Sequence, residues 1–208
     1  MAILIPPVRP AHTGCVPGAI RRRPLRSLRH GSIWMLLSCA IAMGSLSDLQ
    51  PQTPPPGEYE VKAAFLYNFA KFVEWPSTAF PAPDSPVIIG VLGEDPFGEA
   101  LELTIAGKLV QGRPLQVQRG QRIENVESCH ILFFSSSQRR PLPELLGQLR
   151  SLPVLTVGEE EKFIEQGGVI RFLLDDNRVR FDINNLSARK AGLKISSRLL
   201  ALASHVWE

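Results

Sequence analysis

The chain has 208 residues, which is room for one domain of ordinary size plus an extension. Its 44% hydrophobic and 21% charged content is that of a globular protein and excludes a disordered chain. The net charge of +3 misleads: six arginines and no acid precede residue 48, so residues 48–208 carry 17 basic and 20 acidic side chains, a net of −3. That distribution excludes a phosphate-tracking nucleic-acid binder.

In chain order, Arg21 to Arg29 form a charged n-region and Ile33 to Leu46 an apolar run of 14 residues, with Ala42, Gly44 and Ser45 available for cleavage. The run is shorter than the about 20 residues a spanning helix needs. Residues 1–46 therefore read as a secretory signal, the alternatives being a retained anchor or a start at Met35. The proline-rich stretch 47–57 reads as a semi-rigid linker, and residues 58–208 as one exported domain. Cys15 and Cys39 fall in the leader. Cys129 is thus the single cysteine of the domain, and the fold stands on its apolar core without an internal disulfide.

Val61, Phe65, Phe69 and Phe72, widened by Ala64, Leu66 and Ala70, predict a helix over 58–74 that Pro76 stops. Val87 to Leu92 has the composition of a buried strand. Asp95 and Pro96 then suit the N-cap and first position of a helix running to Thr104. Lys108 to Gln118 supplies one or two strands, His130 to Phe134 another, and Pro141 to Arg150 a helix. Pro153 to Val157 reads as a strand and Glu159 to Gln166 as a short helix with acids in its first turn. From Gly168 a hairpin turns at Asp176-Asn177, pairing Ile170 with Ile183, Phe172 with Phe181, Leu174 with Val179 and Arg171 with Asp182. Asn184 to Val206 reads as one long final helix carrying Leu186, Leu193, Leu200 and Ala203 on one stripe. Strands alternating with helices predict an α/β fold: a mixed, largely parallel sheet with helices on both faces and a C-terminal β-hairpin followed by a long helix.

Catalytic patterns are thin. Cys129 and His130 are strand neighbours pointing to opposite faces, so they form no nucleophile–base pair. No metal-ligand spacing is present, and no cofactor motif; the Gly90–Gly98 loop lacks both the Walker lysine and the dinucleotide glycines. Glu94 and Asp95 after one strand, and Ser135 and Ser136 after another, are candidate contacts for a small ligand, since such loops end parallel strands. Tyr67 and Trp75 near the end of the first helix, and Arg189, Lys190, Lys194 and Arg198 on the cationic side of the last, are candidate contacts for a protein partner.

The stretch Glu58-Tyr59-Glu60-Val61-Lys62-Ala63-Ala64-Phe65-Leu66-Tyr67-Asn68-Phe69-Ala70-Lys71-Phe72-Val73-Glu74-Trp75-Pro76 resembles the opening helix of the YfiR-like family of small periplasmic proteins. Residues 181–200, running from Phe181-Asp182-Ile183 to Arg198-Leu199-Leu200, resemble that family's last strand and helix. Gly90 to Gly98 and Cys129 to Phe133 fall between them in the expected order, so the resemblance covers roughly 57–206. It implies a regulator and not an enzyme: a periplasmic protein that binds the sensor region of an inner-membrane diguanylate cyclase and restrains it, lowering cyclic di-GMP and biofilm formation. The alternatives are a small-ligand-binding protein or an accessory to a sensor histidine kinase, and a homodimer is compatible with either. The redox response that two disulfides provide in such a repressor has no counterpart in a domain whose one cysteine is Cys129.

Overall fold

A computed structural model describes residues 57–126 and 128–208. The leader expected at 1–46 and all of the expected linker except Gly57 lie outside the described residues.

The first helix, α1 (Glu58–Phe72), leads into a two-residue strand β1 (Val73–Glu74). After a 3-10 turn at Ser77–Ala79 come β2 (Val87–Leu92) and α2 (Ala100–Ile105). Next are β3 (Leu109–Val110), β4 (Arg113–Gly120), β5 (Ile131–Phe134), α3 (Leu142–Leu149) and β6 (Leu155–Gly158). The chain closes with β7 (Ile170–Asp175), β8 (Arg178–Asn184), α4 (Asn185–Lys190), β9 (Lys194–Ile195), α5 (Ser197–Leu200) and β10 (Val206–Trp207).

Eight of these strands form one sheet in the order β10-β8-β7-β6-β5-β2-β4-β3. Pairings from β4 through β2, β5 and β6 to β7 are parallel, while β7–β8 and β3–β4 are antiparallel. The parallel centre is doubly wound: from β2 the chain goes to β4 on one side, then returns to β5 on the other. One face packs α1, α2 and α4 through Leu66, Phe69, Leu101, Ile105 and Ala188. The other packs α3 through Leu142, Leu145, Leu146 and Leu149, together with Phe163. The mixed α/β sheet with helices on both faces is therefore as expected.

The hairpin has the predicted register, Ile170 opposite Ile183, Arg171 opposite Asp182 and Phe172 opposite Phe181. Asp176 and Asn177 both take positive φ, 48° and 59°, the turn that matches the twist of the flanking strands. Phe65 and Phe69 of α1 meet Phe172 and Phe181 with ring centroids 5.2–6.1 Å apart, which seats α1 on the hairpin.

Four expectations need correction. The helix expected to start at Asp95 and Pro96 begins only at Ala100, with Glu99 at its N-cap. The buried stripe of α1 is Lys62, Ala63, Leu66, Phe69 and Ala70, while Val61 and Phe65 are half-buried and Ala64 is exposed. The buried face is the one that meets the sheet and hairpin, through Leu66 and Phe69. The expected helix at 159–166 is a string of turns over 161–167, which Gly167 ends at φ 102°. The expected long final helix is broken. Gly192, at φ 75°, ends α4 with Leu193 N–H bonded to the Ala188 carbonyl, and Ser196 Oγ caps α5 by accepting from Leu199 N–H.

Candidate functional site

The loops expected to meet a ligand do come together. Gly93 ends β2 at φ 102°, and a Cβ there would lie 2.9 Å from Ser137 Oγ and 3.2 Å from Ser135 Cβ. Glu94 N–H donates to Ser137 Oγ at 2.8 Å, and the Ser135 and Ser137 hydroxyls are 3.0 Å apart. This is the β2/β5 switch point, where doubly wound sheets open a crevice beyond their carboxyl ends. Asp95 is engaged there: Oδ1 accepts from Phe97 N–H at 2.8 Å and Oδ2 from Arg119 Nε at 2.7 Å. Arg119 also grips Glu102, and the guanidinium bonds hold that carboxyl below the usual range. Glu94 and Ser136 are exposed, and Ser135 is buried.

A second cluster gave no separate sequence signal. Lys62 is buried and its ammonium pairs with both Glu58 and Glu159, while its Nζ lies 4.5 Å from the Tyr59 ring centroid. Burial opposes the charge most strongly, yet the bonds to Glu159 and Glu58 outweigh it and leave the lysine above its ordinary pKa. Tyr59 donates to Glu159 at 3.3 Å; its phenol is pushed up by burial first and by the Glu159 charge second. Glu159 is the first of the acids expected in the first turn of a helix over 159–166. It is half-buried, because the end of β6 places it over α1. The signal that could have found part of it is the Glu58–Lys62 spacing of four on a helix.

Trp75 faces the third cluster. Its Nε1 donates to the His130 carbonyl at 3.2 Å, and Phe80 stacks on the His130 ring at 4.4 Å. Arg113 covers the other side of Phe80 at 3.9 Å and donates to the Ala82 and Ser85 carbonyls. These contacts strap residues 75–86 to the sheet. His130 Nδ1 accepts from Ile88 N–H at 3.1 Å, so neutral His130 carries its proton on Nε2, which has no aligned partner. Burial depresses the imidazole pKa; the Ala79 backbone opposes this, and Arg113 adds to it. The unfolded chain therefore takes the proton first. Stability is full above the unfolded value of about 6.5 and is lost as pH falls from there through the depressed folded value. Unfolding titrations from pH 7.5 to 5 should show this loss in the native chain and a flatter profile in H130Q. Equal slopes would remove His130 as the cause.

Cys129 points away from His130. Its thiol lies against Gly90, 3.8 Å from Gln118 Oε1, and burial pushes it up to about 12. It is a packing residue, with no thiolate at neutral pH.

The partner candidates fall on both ends of the chain, and one small ribbon connects them. β1 pairs antiparallel with β9, Val73 opposite Ile195 and Glu74 opposite Lys194, and Ser196 N–H donates to the Phe72 carbonyl at 2.9 Å. Trp75 thereby lies beside the segment bearing Lys194 and Arg198, both exposed. Tyr67 is half-buried under Lys108 and Lys71, whose Nζ atoms lie 4.5 and 5.5 Å from its ring. Arg189 reaches Glu208 at 3.6 Å, and Lys190 is exposed on α4. The four cations do not form one helix face, since they are divided among α4, β9 and α5.

These features define a class: a doubly wound α/β domain whose buried ionisable side chains tie its own elements together, leaving surface for contact. Residues 59–204 match the YfiR/HmsC-like family (DUF4154), and the chain belongs to that family. The family is known for regulating diguanylate cyclases and is regulatory rather than catalytic. Among solved structures, the chain is similar to a conserved domain protein of Vibrio cholerae O1 biovar El Tor, at 14% identity and a TM-score of 0.45. The alignment covers 72% of this chain and 60% of that one, so this chain spans less than two thirds of the relative's length. No curated protein matches it. Among the described residues no helix is long and apolar enough to cross a membrane.

Proposed function

We propose that the protein is exported to the periplasm, binds the sensor region of an inner-membrane diguanylate cyclase, and restrains it. Family membership supports a membrane signalling partner. The observation that supports the surface is the β1–β9 ribbon, which pairs the residues just before Trp75 with the segment of Lys194, more than a hundred residues on in the sequence. An acidic patch on the sensor region suits these cations, because exposed charges set association rate and register.

The test uses the purified periplasmic sensor region of an inner-membrane diguanylate cyclase from the same organism. The native chain should bind it and lower cellular cyclic di-GMP. K194E/R198E should weaken binding at least about tenfold with an unchanged melting temperature. Full binding by the double variant would remove this surface. Capture of a histidine-kinase sensor in place of the cyclase would move the protein to the alternative partner class. A second reading, a small-ligand binder, is favoured by one observation: the loops bearing Glu94 and Ser136 meet at the β2/β5 switch point.

A further inference from the structure

A cleft of about 290 Å³ opens where the last turn of α3, the turns after β6 and α4 come together. Its apolar wall is aliphatic throughout. Leu146, Leu149 and Ile164 are 3–5% exposed, and Leu186 stands at the rim 42% exposed. With no aromatic ring in the lining, the wall suits a flexible alkyl chain better than a flat ring, which would gain from stacking.

Of its internal polar groups, Thr156 and Asn184 already have partners, while Gln166 Oε1 has none among the described residues. Thr156 Oγ1 accepts from Val169 N–H at 3.0 Å. Asn184 accepts from Ser187 N–H at 2.9 Å and donates to the Ile164 carbonyl at 3.3 Å. Two lining groups differ. Arg150 and Lys190 are exposed and have no carboxylate partner among the described residues, whereas Arg119, Arg140, Arg171 and Lys62 each have one. Glu165 is the one acid in the lining.

We infer that this cleft binds a short- to medium-chain aliphatic carboxylate. The alkyl chain lies along Leu146, Leu149, Ile164 and Leu186, and the carboxylate turns to Arg150 and Lys190, away from Glu165. The cleft is at the small end of the range for ligand sites, which limits the length of the chain. Two cations beside apolar wall also set the order of ligands. Removing the carboxylate loses charge-assisted hydrogen bonds, and each methylene removed loses buried apolar surface.

Lys190 also belongs to the partner candidates, but this inference is read on the chain alone and does not depend on a partner. Calorimetric titration with octanoate should give saturable binding at one site. Hexanoate should bind about tenfold more weakly, from two methylenes fewer. Octan-1-ol should also be at least about tenfold weaker. R150Q/K190Q, both at exposed positions, should lose at least about tenfold in octanoate affinity without a change in melting temperature. L186E, which puts an acid at the exposed rim, should do the same. Absence of octanoate binding, equal binding of octan-1-ol, or undiminished binding by R150Q/K190Q would each overturn the site.

Discussion

Replacing Lys62 with methionine is expected to lower the unfolding free energy by about 2–3 kcal/mol at neutral pH, near the low end for breaking a buried pair. The Lys62 side chain is 4% exposed, and those of its partners Glu159 and Glu58 are 19% and 38% exposed. Its removal leaves Glu159 half-buried without a counter-charge, next to the Tyr59 hydroxyl that donates to it. Glu58 adds less, since water screens its charge. The informative comparison is K62M/E58Q/E159Q, which removes the uncompensated charges together with the lysine. Most of the loss should return, because a neutral, apolar-packed triad avoids the desolvation cost that the ion pairs only offset. Urea denaturation of the three proteins measures both steps. A K62M variant within about 0.5 kcal/mol of the native chain would show that these pairs are surface-like.

The second large effect is steric. The Phe163 ring is fully buried, edge-on to Phe134 at 5.7 Å, and lies between the backbones of Gly158 and Gly168. A Cβ at Gly168 would overlap Phe163 Cδ1 and Cε1, and one at Gly158 would come within 2.5 Å of Cδ2. Neither glycine has a positive φ, so their need is for space and not for conformation. G168A should cost about 3 kcal/mol by overpacking, and F163A about 4 kcal/mol by leaving a cavity. The combination G168A/F163L should be milder than the sum of its parts by about 1–2 kcal/mol, since the smaller side chain admits the methyl. Additive effects in thermal unfolding would mean that the ring does not rest on Gly168.

Much of the fold was legible because its signals are local. The β7–β8 register followed from alternating apolar residues and a turn pair that tolerates positive φ. β2, β5 and α3 followed from compact apolar runs between turn residues. The broken C-terminus was also written locally, in Gly192 and Ser196, but a periodic stripe of leucines outweighed those two signals. Glu159 shows the opposite limit: three acids in a row read as solvated, and nothing near them in the chain announces that the first will cover a lysine 97 positions earlier.

The candidate surface divides in the same way. Trp75 and the cations Lys190, Lys194 and Arg198 are recognisable as residue types. Their placement depends on β1 meeting β9, two strands of two residues each that no pattern of their own marks as strands. The sequence by itself determined the α/β class, the hairpin register, the family resemblance and the lone packed cysteine. Each of these depends on residue type or on spacing within one element. Only the tertiary structure decided which face of α1 is buried, what neutralises Lys62, and that β1 and β9 pair near the two ends of the domain, because those outcomes arise from contacts between segments far apart in the chain.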